Sequence, residues 1–290
     1  RVHISLENYQ DRYSVDPDKI SYDKYPLIDA AVDAMDIPED MAFTVNIFST
    51  VPPGASTGTS AAVSVALIGA LDTLTPGRRT AHEIAALAHS VESEKLGLQS
   101  GIQDQLGSAY GGISYIEMNR FPKASVSQIH VPNSIWWELE NRLALVYIGS
   151  PHTSSDVHKQ VIADLENNPR AYRTEDDPRL QELRRLAVQA KDAVYAGDFD
   201  LLGRTMTENT QAQRELHPKL VCETFEEIID IGKHFGCIGF KVNGAGGDGG
   251  SITLLTDGEM AKKRMLLQEI EQKKFNSLGI YLSRHGLRIW

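Results

Sequence analysis

Cysteine is scarce in this chain. Two residues, Cys222 and Cys237, among 290 exclude a disulfide framework and a four-thiolate zinc site. The expectation is two buried thiols in the reducing cytoplasm. Long apolar runs are missing too. The longest, residues 61–71, is too short to cross a bilayer, and no signal peptide or membrane partner is expected. Basic residues are in deficit, 29 Lys and Arg against 39 Asp and Glu, for a net charge of −10. That balance argues against a nucleic-acid partner, since phosphate backbones require basic patches. An anionic substrate must therefore be held by a local site rather than by the overall field. No Gly-Lys-Ser/Thr follows a glycine loop, so there is no Walker A sequence. Internal repeats and low-complexity segments are absent.

What is present is ordinary for a globular protein: 41% hydrophobic and 23% charged residues, in a chain long enough for two domains. The organising stretch is 51–62, Val-Pro-Pro-Gly-Ala-Ser-Thr-Gly-Thr-Ser-Ala-Ala. An apolar run at 41–50 leads into it and a helical run rich in Ala, Val and Leu leads out. The pattern is strand, small-residue loop, helix. Gly54 and Gly58 allow a tight turn and close approach of a ligand. Thr59 and Ser60 stand where a helix cap is favoured. The amides and dipole of such a terminus attract an anion, with phosphate the first candidate. These residues alone leave an ordinary strand-to-helix turn equally open.

Along the rest of the chain, 1–6 reads as a strand with 11–14 as its hairpin partner, and 27–35 as a helix. A helix over 59–74, apolar on most sides, belongs in the centre of a domain; Thr75-Pro76-Gly77 ends it. Residues 80–95 form another helix, stopped by Gly97. His82 and His89 share a face of it, but Ala86 breaks a His-Glu-x-x-His pattern, so packing or solvent contact is their expected role. Residues 98–112 are polar and rich in glycine, with one acid, Asp104. Strands at 113–118 and 125–131 read as a continuing sheet, and the strand at 143–148 opens a second domain. Helices follow at 155–167, 179–195, 199–215 and 219–235. The chain closes with a strand at 238–241, a glycine loop at 244–250, a strand at 252–256 and a helix at 258–274. Two last strands are expected near 280–283 and 286–290.

Three stretches together suggest phosphoryl transfer: the loop at 54–60, the acids Glu92 and Asp104, and the glycine loop of Lys241-Val-Asn-Gly-Ala-Gly-Gly-Asp-Gly-Gly. A polyphosphate site, an acid for a divalent cation and an acid for a proton are the parts this reaction needs. Their order and spacing resemble the GHMP small-molecule kinases, and within them the heptose-phosphate kinase branch of sugar kinases. The stretch 51–62 resembles that family's second motif, Pro-x-x-x-Gly-Leu-Gly-Ser-Ser-Ala-Ala. Residues 91–105 with Ala109-Tyr110-Gly111-Gly112 resemble the stretch carrying its Asp-Gln pair, and 241–250 its third motif. Residues 147–160 and the helices after them also resemble the heptose-kinase pattern.

The resemblance implies an α+β, two-domain GHMP kinase fold. Residues 1–140 would form a ribosomal protein S5 domain 2-like α/β domain, and 141–290 a ferredoxin-like α+β domain. It implies ATP and Mg²⁺ as cofactors. Pro53, Gly54, Ala55, Ser56, Thr57, Gly58, Thr59 and Ser60 would wrap the ATP phosphates, Ser60 and Glu92 would bind Mg²⁺, and Asp104 would orient or deprotonate the acceptor hydroxyl. Gln105, Gly244, Ala245, Gly246 and Gly247 would lie near the substrate or phosphates. Glu94 competes with Glu92, and alignment from Ser100-Gly101 favours Glu92.

There are departures from the family pattern. Ser56-Thr57 replaces Gly-Leu, Asp248 interrupts the third motif's glycines, and His152 stands for an Arg before Ser154-Ser155. The family's first motif has no counterpart, and the chain opens on Arg1 with a strand already under way. The expectation is that the first strands lie upstream or that part of the acceptor pocket is lost. The reading is an ATP- and Mg²⁺-dependent kinase of a heptose phosphate or related sugar, with a homodimer left open. Its alternatives are a non-catalytic nucleotide-binding relative, or a kinase of another alcohol such as mevalonate or homoserine.

Overall fold

The computed structural model describes every residue except 39, 52, 53, 76 and 150–153, and every side chain except those and 154, 155 and 175. The expected contributions of Pro53, Pro76 and His152, and of the side chains of Ser154 and Ser155, lie outside the described residues. The chain divides into two units. The first comprises Arg1–Pro53, Gly58–Gln128 and Ser283–Trp290, the second Gly54–Thr57 and Ile129–Leu282. The division thus falls after Gln128 rather than at 140/141, and the last eight residues return to the first unit.

In the first unit, β1 (Val2–Leu6) and β2 (Asp11–Val15) form an antiparallel hairpin with Val2 opposite Val15, and β3 (Phe43–Ile47) lies parallel to β1. The expected strand at 41–50 is shorter by five residues. A parallel partner requires a crossover, supplied by α1 (Pro26–Asp33), which starts on a proline whose missing N–H costs nothing there. The helix α2 (Thr59–Asp72) packs against α1, α3 (Ala81–Ser90) and α4 (Gln103–Tyr110), with Ala61, Val65, Ile68 and Leu71 almost fully buried. Its apolar circumference is satisfied by a central position, as expected.

A capping box between Thr80 and Glu83 starts α3. The helix continues through a π-turn, Val91–Lys95, instead of running on as regular α-helix. α4 is a helix that the glycine-rich sequence of 98–112 did not disclose. Among the described residues, β4 (Ile113–Arg120) and β5 (Lys123–Ile129) pair only with each other. They do not extend the β1–β3 sheet, because alternation marks a strand without choosing its partner.

The second unit runs α5 (Asn133–Arg142), β6 (Leu143–Tyr147), α6 (Ser154–Asn167), α7 (Pro178–Ala196), α8 (Phe199–Leu216), α9 (Glu223–His234), β7 (Gly239–Val242), β8 (Ser251–Leu255), α10 (Met260–Gln272) and β9 (Asn276–Leu278). Its sheet has the order β7-β8-β6-β9 with every pair antiparallel. Stripped of the added helices, this is the split β-α-β arrangement of a ferredoxin-like domain, as expected. Phe225, Ile228, Val242, Ile252, Leu254 and Leu266 form its core.

The two terminal strands read at 280–283 and 286–290 do not form. β9 already occupies the free edge of β6, and the segment beyond it carries Leu287 onto Gly69 and bonds Leu287 N to Ala109 O at 3.1 Å. Cys222 and Cys237 are half-buried rather than buried. Among the described residues no helix is long and apolar enough to cross a membrane.

Candidate active site

The loop before α2 is built from left-handed residues at alternate positions: Gly54 at φ 77°, Ser56 at 53° and Gly58 at 71°. Ser56 therefore takes the torsion for which the family pattern supplies glycine, at a cost of about 1–2 kcal/mol. Alternation of this kind turns successive amides towards one side of the chain and makes an anion-binding concavity. Gly58 is the N-cap of α2, so Thr59 and Ser60 are its first two helical residues and not caps. The left-handed turn needed to enter the helix falls on the glycine, and a glycine has no side chain to bond the amides of the first turn.

Asp104 lies in the first turn of α4 and is exposed. A Cβ on Gly58 would stand 3.2 Å from Asp104 Cγ and 3.5 Å from its Oδ2. The carboxylate thus sits over Gly58, at the N-terminal end of α2. Gln105, its neighbour, is 1% exposed, its Oε1 has no hydrogen-bond partner among the described residues, and its side chain acts on Glu92.

Glu92 occupies the π-turn and is 6% exposed, whereas Glu94 is exposed. Its Oε2 accepts a hydrogen bond from Ser100 Oγ at 2.8 Å. Ser100 is held in turn by His89, whose Nε2 lies 3.0 Å from its carbonyl. Glu92 Oε1 is buried with no hydrogen-bond partner among the described residues. Burial raises the pKa of Glu92; the Ser100 hydroxyl opposes that shift, and the nearby Asp104 charge adds to it. A buried carboxylate with one unsatisfied oxygen suits a hard cation. The two histidines are accounted for locally, since His82 Nδ1 lies 3.3 Å from the Tyr110 hydroxyl.

In the second unit, the segment Gly54–Thr57 is anchored by Ser251, whose Oγ donates to Ala55 O at 2.5 Å. Asn243 Nδ2 donates to Ser251 Oγ at 3.0 Å, and Thr253 Oγ1 to Asn243 Oδ1 at 3.0 Å. Gly244, left-handed at φ 56°, faces Ser56: a Cβ on it would lie 3.4 Å from Ser56 Cβ. Ala245, Gly246 and Gly247 turn inward instead. A Cβ on Gly246 would overlap Leu220 O at 1.8 Å, and Gly247 N bonds the same oxygen at 3.3 Å. Of the four third-motif residues expected near phosphate, only Gly244 is open; the rest pack. Asp248 is exposed.

Sequence reasoning missed Ser100, Gln213, Asn243 and Ser251. Polar residues beside glycine were visible, but nothing local says which backbone oxygen each would meet.

Two family descriptions match the chain in order: the GHMP kinases N terminal domain over residues 27–112 and the GHMP kinases C terminal domain over 190–281. A D-glycero-alpha-D-manno-heptose 7-phosphate kinase of Campylobacter jejuni is 24% identical over 252 residues, 86% of this chain and 71% of that protein. A mevalonate kinase of Pyrococcus abyssi is 30% identical over 251 residues, 85% of this chain and 68% of that protein. The fold is shared with the phosphomevalonate kinase of Streptococcus pneumoniae solved with phosphomevalonate and AMPPNP. Its TM-score is 0.71 at 15% identity, covering 96% of this chain and 85% of that one. The first match spans the left-handed loop, Glu92 and Asp104 and the second spans Gly244, so this chain belongs to the GHMP kinases and is a phosphotransferase.

Proposed function

We propose that this protein transfers the γ-phosphate of ATP to a hydroxyl of a heptose phosphate or a related sugar. The observation that carries the reading is the Asp104 carboxylate standing over Gly58, where the N-terminal end of α2 and the left-handed loop attract phosphate. Backbone amides of residues 54–60 would hold the phosphates. Asp104 would hold the acceptor hydroxyl and take its proton on a carboxylate oxygen as the new P–O bond forms and the bond from the γ-phosphorus to the β-phosphate oxygen breaks, releasing ADP. The base and the phosphate-binding helix end are already adjacent, so little reorganisation would be needed to bring hydroxyl and phosphate together.

Glu92 fits a divalent cation, because its Oε1 is buried and unsatisfied; with Ser60 it would hold Mg²⁺. When bound, Mg²⁺ offsets the charge on the β and γ phosphates. Ser100 keeps the other Glu92 oxygen fixed, so the free one has a single direction. Domain boundaries follow the same proposal, with the phosphate loop's helix in the first unit and the third motif in the second.

A second acceptor class is favoured by one specific observation. A mevalonate kinase of Pyrococcus abyssi is 30% identical to this chain, against 24% for the heptose 7-phosphate kinase of Campylobacter jejuni. A mevalonate-type alcohol therefore stays in contention alongside the sugar. The deciding assay supplies ATP and Mg²⁺ with heptose phosphates, free sugars, mevalonate, phosphomevalonate and homoserine. Transfer to a sugar phosphate, abolished by chelation and restored by Mg²⁺, is the expected result. Transfer to mevalonate alone would replace the acceptor, and ATP binding without transfer to any of them would remove the proposal.

A further inference from the structure

Among the described residues, Lys241 is a cation with no carboxylate beside it. It lies on β7 between Phe240 and Val242, which face the core, and is half-buried opposite Thr253 of β8. Its Nζ donates to Gln213 Oε1 at 3.0 Å and to the carbonyl of Val242. Both acceptors are neutral, and among the described residues no carboxylate pairs with the ammonium. The strands β7 and β8 carry no other titratable residue. The charged residues of α8 (Asp200, Arg204, Glu208, Arg214 and Glu215) and Asp248 of the glycine loop exert no resolved effect on it. Burial alone pushes its pKa down to about 8.

A lysine kept this way is costly unless something else uses the charge. Its surroundings indicate what that is. The Gln213 that accepts from Lys241 donates through Nε2 to Gly244 O at 3.2 Å, and Gly244 abuts Ser56 of the loop. Two hydrogen bonds therefore link the ammonium to Gly244, which packs against Ser56 of the segment that holds phosphate in the kinase reading, on which this inference rests. An ammonium has three donors; two are spent on neutral oxygens.

We propose that Lys241 is a phosphate-neutralising residue whose counterion is the polyphosphate of the bound nucleotide. Anion binding then favours the charged form, so the amine takes a proton from solvent as the nucleotide binds. Titration calorimetry of ATP at pH 8.5, in two buffers of different ionisation enthalpy, reads this directly. The wild type is expected to take up about 0.5–0.8 proton per ATP. Lys241→Met is expected to weaken ATP about tenfold and abolish the uptake, while its ligand-free melting temperature does not fall, since an uncompensated charge has been removed. Lys241→Arg, charged at all pH values, should bind ATP nearly as well as wild type with no uptake. Wild-type binding without proton uptake, with Lys241→Met binding equally well, overturns this inference and leaves the kinase reading intact. A wild type that does not bind ATP overturns the kinase reading itself.

Discussion

At the scale of single residues, the acids divide by burial. Asp104 is exposed above a helix end, and Glu92 is enclosed with one oxygen held by Ser100. In the proposed reaction the first would take the proton and the second would hold the cation. Asp104→Asn keeps the shape and loses the base, so turnover should fall about 10²–10⁴-fold. ATP affinity should change less than about threefold, because the loop amides are untouched. A coupled-enzyme assay with calorimetry separates the two; equal turnover in mutant and parent would dismiss Asp104. Ser56 gives a prediction on stability instead. Its φ of 53° is one that glycine adopts freely, so Ser56→Gly should stabilise the fold by about 1 kcal/mol in denaturant titration. A decrease would show that the serine hydroxyl matters more than the torsion.

Among the elements, the start of α7 is the most strongly tied. Asp177 caps it by accepting from Arg179 N at 3.0 Å and receives Arg179 Nε and Nη2, each at 2.9 Å. Both side chains are buried, and Arg179 also reaches Asn168 O at 3.1 Å. The guanidinium holds the Asp177 carboxyl well below the usual carboxylate range. A carboxyl depressed in the folded state adds stability that is complete above its unfolded value. That stability is lost only as pH falls through the folded one. The pair should therefore persist below pH 4, where ordinary carboxylates protonate. Asp177→Ala leaves the buried Arg179 only its longer pair to Asp164 Oδ2 at 3.4 Å and should cost about 3 kcal/mol at pH 7. The mutant's deficit should shrink below about pH 3, as followed by melting temperature across pH. A deficit that is the same at pH 7 and pH 2 would contradict the ion pair.

For the molecule as a whole, charge works against its ligands. A net charge of −10 would repel ATP and a sugar phosphate, the proposed ligands, at long range, while in the proposed site local amides and Lys241 would attract them at short range. Salt screens the first far more than the second. The association rate of ATP should therefore rise about two- to fivefold between 20 and 200 mM salt, read by stopped-flow with a fluorescent analogue. A rate that falls with salt would mean that a basic funnel dominates the approach.

Much of this was legible in the sequence. The glycines at 54 and 58, the acids at 92 and 104 and the third motif stand in fixed order along the chain. The apolar periodicity of α2 announced a central helix. These features are local: backbone freedom, period and spacing depend on near neighbours.

Other points were decided only by tertiary structure. A π-turn turned Glu92 inward and Glu94 outward, and packing enclosed Gln105 beside an exposed Asp104. Close packing on Leu220 made Gly246 a space-filling glycine. The strand pattern at 280–290 lost its pairing because β9 already held the edge of β6. Burial and pairing depend on residues far apart in sequence, and no local pattern encodes which of two neighbouring side chains the rest of the fold will cover.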